Sequence, residues 1–191
     1  MPNCQVCKTS CEFTSYAGRS DEVCPNCGAM RRHRDNFVAM RRAGLFQLPV
    51  RSRILMVSID PYLSKLRRRF SVTVLIKQPD IAGTIYGDIC KPPFTEKSFE
   101  AVIATHVLEH VHNDAKAVAM IYQLLTPGGI FVSNVPCGTE PETNEFGRPD
   151  PKQHGHWRLY GRAGYKQLLQ QTGFIEVTNA KGTAFIARRL T

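Results

Sequence analysis

Two sets of side chains in this chain have the types and spacing that chemistry requires. The first is thiol: Cys4-x-x-Cys7 and Cys24-x-x-Cys27 stand sixteen residues apart. Two such knuckles can wrap four thiolates tetrahedrally around one zinc ion, and Gly28 eases the turn after the second. A segment of about 30 residues carries too little apolar surface to fold alone, so the metal would stabilise a small ribbon. Four thiolates leave zinc no open coordination position, which makes the ion structural rather than catalytic. Iron fits the same cage and stays open as the alternative. The chain has seven cysteines, an odd number, and Cys11, Cys90 and Cys137 fall outside the spacing.

The second set is histidine. His106 and His110 lie four residues apart in HVLEHVHND, and His154 and His156 form a His-x-His pair in QHGHWRLYG. Histidine is the side chain best suited to exchange a proton near neutral pH. His106, His110, His154 and His156, with Tyr160 close behind them, are therefore the candidates for acid–base work. The same four histidines also make a plausible ligand set for a second metal. Arg148, Arg158 and Arg162 are candidates to hold a carboxylate or phosphate of a substrate.

These residues need a frame. Residues 100–135 read as an apolar strand, a polar loop at 105–110, a helix, the stop Pro127-Gly128-Gly129 and a second apolar strand. That is one βαβ unit, and parallel α/β sheets bind ligands just beyond the carboxyl ends of their strands. Upstream, residues 35–45 suit an amphipathic linker helix stopped near Gly44. Residues 53–58 and 72–76 read as buried strands and 84–86 as a short one, with Asp60-Pro61 offering an N-cap and N1 proline for a helix between the first two. Residues 136–161, rich in Pro, Gly and His, are long enough for a lid or substrate loop. A helix over 162–172 and a hairpin from 174–178 and 183–187 close the chain. The expected fold is α/β: a doubly wound, seven-stranded, mostly parallel sheet preceded by a small zinc ribbon. Its expected divisions are a ribbon at 1–32, a linker helix at 33–49 and the α/β domain at 50–191.

Composition agrees with such a domain, at 191 residues and 42% hydrophobic. No apolar stretch is long enough to span a bilayer, and the N-terminus lacks an apolar signal core, so a cytoplasmic location is expected. The net charge of +9 suits polyanions, including RNA, and anionic small substrates. No aromatics are interleaved with the basic runs as a single-strand stacking platform would require.

From about residue 50 to 190 the order of motifs resembles class I S-adenosylmethionine-dependent methyltransferases. The string HVLEHVHND followed by LLTPGG is similar to that family's loop after its fourth strand and the turn into its fifth. The N-terminal part resembles small methyltransferase-domain proteins headed by a CPxCG…RHR segment, here Cys24-Pro25-Asn26-Cys27-Gly28 and Arg32-His33-Arg34. The resemblance implies S-adenosylmethionine as cofactor. It places Ser58, Ile59 and Asp60 in the first cofactor loop, with Asp60 on the ammonium of the methionine moiety. It places Asp88 and Ile89 against the adenine, and Thr105, His106 and Val107 under the methionine part and the sulfonium. The stretch around His156 resembles the family's QxDHxRxYG, so His156, Arg158 and Tyr160 carry over, while His154 replaces an acid. His110 would face the substrate.

Two departures stand out. The usual glycine-rich first loop is absent. Lys77 stands where the family ends its second strand with a carboxylate that grips the ribose hydroxyls; lysine cannot accept a hydrogen bond, so that contact is lost unless Gln78 or Asp80 reaches in. Such a loss costs on the order of 1–3 kcal/mol. The expected function is a methyltransferase acting on a small molecule or peptide. An RNA methyltransferase and a non-catalytic scaffold with a degraded cofactor site are the alternatives. Sequence does not specify the oligomeric state.

Overall fold

The computed structural model describes residues 1–78 and 81–191. The ribbon contributes a small hairpin, β1 (Thr14–Tyr16) and β2 (Arg19–Val23), between its two cysteine knuckles. Helix α1 (Arg31–Arg42) follows and stops where expected, with Gly44 in the left-handed conformation at φ 76°. Then come β3 (Arg53–Met56), α2 (Leu63–Arg67), β4 (Ser71–Ile76), β5 (Ile85–Tyr86) and β6 (Phe99–Thr105). The second half consists of α3 (Asp114–Leu124), β7 (Leu125–Asn134), β8 (Asn144–Asp150), β9 (His156–Leu159), α4 (Arg162–Gln171), β10 (Ile175–Lys181) and β11 (Ala184–Arg188).

Seven strands make one sheet in the order β10-β11-β7-β6-β3-β4-β5. The five strands from β7 to β5 run parallel, and β11 joins β7 antiparallel through the closing hairpin. This is the doubly wound, mostly parallel architecture expected from the alternation of apolar runs and helices. Strand periodicity sorts the core into two layers. Ile54, Met56, Ala101, Ile103, Ile130 and Val132 face one side, where Phe37 and Met40 of α1 and Leu66 of α2 cover them together with the ribbon's Val6 and Ala29. Leu55, Val57, Val102, Ala104 and Phe131 face the other, against Val118 and Ile121 of α3 and Leu169 of α4. With both faces covered, these strands read as continuous apolar runs rather than alternating ones.

From β3 the chain builds outward to β4 and β5, then crosses back to place β6 on the other side of β3. The reversal opens a crevice at the carboxyl ends of β3 and β6, the place where doubly wound sheets bind ligands.

Two local expectations change. Asp60 does not cap α2: the N-cap is Tyr62, and the Asp60 carboxylate instead accepts hydrogen bonds from the Tyr62 hydroxyl at 2.5 Å and the Ser58 hydroxyl at 3.0 Å. The segment 136–161 is not an irregular loop, because β8 and β9 pair within it as an antiparallel hairpin. No helix among the described residues is long and apolar enough to cross a membrane.

That hairpin is held at two points. Arg158 of β9, 4% exposed, donates to the carbonyls of Leu108, Val111 and His112 at 3.3, 2.6 and 2.8 Å and to Glu145 at 2.7 Å. At the other end, Gly161 lies so close to the chain that a Cβ there would collide with the carbonyl oxygens of Pro141 and Glu142. Arg158→Leu therefore leaves several buried carbonyls unpaired and should cost about 3 kcal/mol in chemical denaturation, with Arg158→Lys recovering only part of it. Gly161→Ala should cost at least about 2 kcal/mol, because backbone rather than a flexible side chain must move. Unchanged denaturation midpoints would refute both.

Candidate active site

The crevice at the ends of β3 and β6 holds a cavity of about 510 Å³. Its walls come from Val57, Ser58 and Ile59 after β3, Leu75 to Gln78 at the end of β4, Gly87 and Ile89 after β5, and His106, Val107, His110 and Val111 after β6. The lining is mainly apolar, with polar groups at its edges, as small-molecule sites are. Each wall is a strand end or the first residues of the following loop, so the sheet itself sets their spacing.

Of the residues assigned to cofactor binding, Ser58, Ile59, Lys77, Ile89, His106 and Val107 line this cavity. Asp88 stands beside it, and its Oδ2 lies 3.0 Å from Lys77 Nζ. Against the upward push of burial, the Cys90 amide and Lys77 hold the Asp88 carboxyl below its usual range. Lys77, at the position where the resemblance expects the ribose acid, thus finds its partner in the carboxylate expected beside the adenine. Asp80, the residue named as a substitute for the missing acid, lies outside the described residues.

Thr105 and Asp60 point elsewhere. Thr105 Oγ1 lies 2.7 Å from the Tyr62 hydroxyl and accepts from Asn36 Nδ2 at 2.6 Å. Asp60, 6% exposed, belongs to the same network and sits 3.6 Å from His33 Nε2. Burial pushes the Asp60 carboxyl up, against the hydrogen bonds from Tyr62, Thr105 and Ser58. Burial and then the Arg32 charge bring His33 down to about 3, so His33 is neutral and its contact with Asp60 is not an ion pair. This network binds α1 to the ends of β3 and β6 and explains the Arg32-His33-Arg34 run. Arg34 anchors the ribbon by donating to the carbonyls of Asp21, Glu22 and Ala29.

His106 ends β6 with φ 52°, a left-handed conformation uncommon outside glycine. It stands between two spaces. Behind it lies a recess of about 350 Å³ lined by Arg19, Arg31, Arg32 and Arg162, two acids (Glu22 and Asp35), Cys137 and the turn of the closing hairpin. Arg162 is the one of the three arginines proposed for substrate that reaches this recess. Arg158 is committed to backbone carbonyls, and Arg148 lies on the hairpin away from both spaces.

The assigned catalytic residues divide in the same way. His110 and His156 come together, with ring centroids 4.7 Å apart. His154 stays exposed at the hairpin turn, 6.2 Å from His156. Tyr160 is 1% exposed and donates to Asp114 Oδ2 at 2.6 Å; burial, reinforced by Asp114, raises its phenol well above the ordinary value, and it lines neither space. The residue that sequence reasoning passed over is Glu109. It is fully buried, with Oε1 3.2 Å from His106 Nδ1, and it gathers with His110 and His156. Its signal was present: a carboxylate inside the otherwise apolar and histidine string HVLEHV.

In the ribbon, the sulfurs of Cys4, Cys7, Cys24 and Cys27 all lie within 4.8 Å of one another. Cys11, which falls outside the knuckle spacing, places its sulfur 3.7 Å from that of Cys24. Burial pushes the Cys27 thiol up to about 12, while hydrogen bonds from Thr9 and Asn26 outweigh burial at Cys7 and bring it down to about 5. Four sulfurs this close cannot all ionise without a cation among them.

Comparison with known proteins matches this geometry. Residues 37–133 match the family described as Methyltransferase domain. A Mycolicibacterium smegmatis protein described as a probable S-adenosylmethionine-dependent methyltransferase is 30% identical over 97 residues, 51% of this chain. The chain spans only 36% of that relative's length. Among solved structures, Burkholderia thailandensis 1,6-didemethyltoxoflavin-N1-methyltransferase superposes with a TM-score of 0.60 at 17% identity, covering 80% of this chain and 79% of that one. Haemonchus contortus phosphoethanolamine N-methyltransferase 2 superposes with a TM-score of 0.56 at 18% identity, covering 75% and 37%. These structural likenesses concern the fold, but the matched segment runs from α1 through β7 and contains most of the cavity wall: the chain belongs to the methyltransferase domain family.

Proposed function

We propose that this chain is an S-adenosylmethionine-dependent methyltransferase acting on a small molecule or peptide that carries an anionic group. The observation that carries this reading is the mostly apolar cavity at the switch point between β3 and β6, with His106 separating it from a basic recess. The cofactor supplies a methyl group already activated on a sulfonium, so the protein's tasks are alignment and removal of a proton. Ser58, Ile59, Ile89, His106 and Val107 would hold it. Against the recess, four arginines and two acids leave a positive balance that suits a carboxylate or phosphate. The recess is a pocket rather than a long groove, which favours a small acceptor over RNA. His106, which lines both the cavity and the recess, is the histidine placed to take a proton.

One observation favours a non-catalytic scaffold instead: the ion pair between Lys77 and Asp88, which occupies the two groups nearest the expected ribose and adenine. Calorimetry with S-adenosylhomocysteine separates the two readings. Binding is expected at up to millimolar ligand, and Val107→Trp should abolish it by filling the cavity. No heat from the unsubstituted protein would remove the enzymatic reading.

The Cys4, Cys7, Cys24 and Cys27 sulfurs suit one structural zinc ion by donor type and mutual spacing. Cys24→Ser should release the ion and unfold residues 1–30, seen as loss of bound zinc and new proteolytic sensitivity there. Unchanged metal content would contradict the assignment.

A further inference from the structure

We propose that Glu109, His110 and His156 form a second metal site, separate from the cysteine cluster, that takes a divalent transition-metal ion. One donor atom from each residue lies within 4.8 Å of the other two. Glu109 is fully buried, yet neither of its carboxylate oxygens has a hydrogen-bond partner among the described residues. His106 Nδ1 comes within 3.2 Å of Oε1 but off the line a hydrogen bond needs. His156 Nδ1 is likewise buried and unpaired. An unpaired carboxylate out of water is costly, and charges so placed are paired or coordinate metals.

Among the described residues, no lysine or arginine pairs with Glu109. Arg158, buried on the same strand as His156, spends its donors on Glu145 and on the carbonyls of Leu108, Val111 and His112. The remaining neighbours are imidazoles: His106 comes to 3.2 Å without making a hydrogen bond, and His110 and His156 each bring a ring nitrogen within 4.8 Å. A divalent ion satisfies the carboxylate and the free imidazole nitrogen together. One carboxylate and two histidines make the donor set of open zinc sites and of two-histidine, one-carboxylate iron sites.

The surrounding structure holds these donors in place. Glu109 and His110 lie in the single 3-10 turn Leu108–His110, and β9 delivers His156 to it. Arg158, two residues further along β9, clamps the carbonyls of that turn, a supporting interaction of the kind that fixes metal ligands. The expected four-histidine set thus becomes two histidines and a glutamate, with His106 against Glu109 and His154 left in solvent. Three protein ligands leave coordination positions open. Because His110 also lines the large cavity, an open position there can hold the oxygen or nitrogen of a methyl acceptor and acidify it; this last clause rests on the methyl-transfer reading, and the metal site itself does not.

The test uses the full chain, stripped with a chelator and titrated with Zn²⁺ and, in parallel, Co²⁺, in the absence of cofactor. About two ions per chain are expected, one in a thiolate cage and one in an open nitrogen–oxygen site. The Co²⁺ protein should accordingly show sulfur-to-metal charge transfer from one ion only. Cys24→Ser should remove that ion alone. Glu109→Gln and His110→Ala should each weaken the other by at least ~100-fold while the thiolate signal stays. Should Glu109→Gln fail to fold, His110→Ala still decides, since His110 is exposed. A protein that binds only the thiolate-held ion, or whose second ion is indifferent to His110→Ala, would overturn the site. Because no cofactor is present, neither result depends on the calorimetric outcome for S-adenosylhomocysteine.

Discussion

A guanidinium taken out of water must have its donors met, and in this protein the carbonyls that meet them belong to the loop after β6. Arg158 brings β9 onto the turn that carries His106, Glu109 and His110. Five donors in a rigid fork can satisfy several carbonyls at once, which a flexible ammonium cannot. The result is that a hairpin leaving the sheet after β7 returns to complete a site built from the end of β6. His156 is where it is because Arg158, two residues away, is fixed.

A second buried network works from the opposite side. Asn36, Tyr62, Thr105 and Asp60 form a chain of hydrogen bonds from α1 through the first loop to the end of β6. It is continuous with the ribbon, because Arg34 of the same helix takes up the carbonyls of Asp21, Glu22 and Ala29. Ribbon, α1 and the strand ends are therefore tied together by hydrogen bonds, and the ribbon's own Arg19 and Glu22 contribute to the wall of the basic recess. In this arrangement a metal held by the four cysteines would stabilise part of a pocket rather than an appendage.

The charged groups around the cavity are arranged in pairs that differ from the family pattern. Lys77 stands where a carboxylate was expected, and its ion pair with Asp88 lies at an exposed mouth, where such pairs contribute little and exchange readily. The buried carboxyl group is different in kind. Glu109 sits in a dry position surrounded by imidazoles, and left-handed backbone at His106 suggests that the turn is held against local preference by what surrounds it.

Much of this was legible in the chain as written. Continuous apolar runs gave the parallel strands, since strands covered on both faces need no polar alternation, and Gly44 marked the end of α1 because backbone chemistry there is local; Pro127-Gly128-Gly129, expected as a stop between helix and strand, instead lies within β7 at a shift of register. The cysteine spacing gave the cluster for the same reason: two turns of fixed geometry dictate where four sulfurs can go. What the sequence did not contain was direction. That Asp60 turns toward Tyr62 instead of capping α2, that His154 faces water while His156 faces inward, and that Glu109 is buried beside three histidines depend on which side of a turn meets the sheet. Those choices are set by long-range packing and by the hydrogen-bond demands of Asn36 and Arg158, groups whose partners lie dozens of residues away, and only the folded chain brings them within reach.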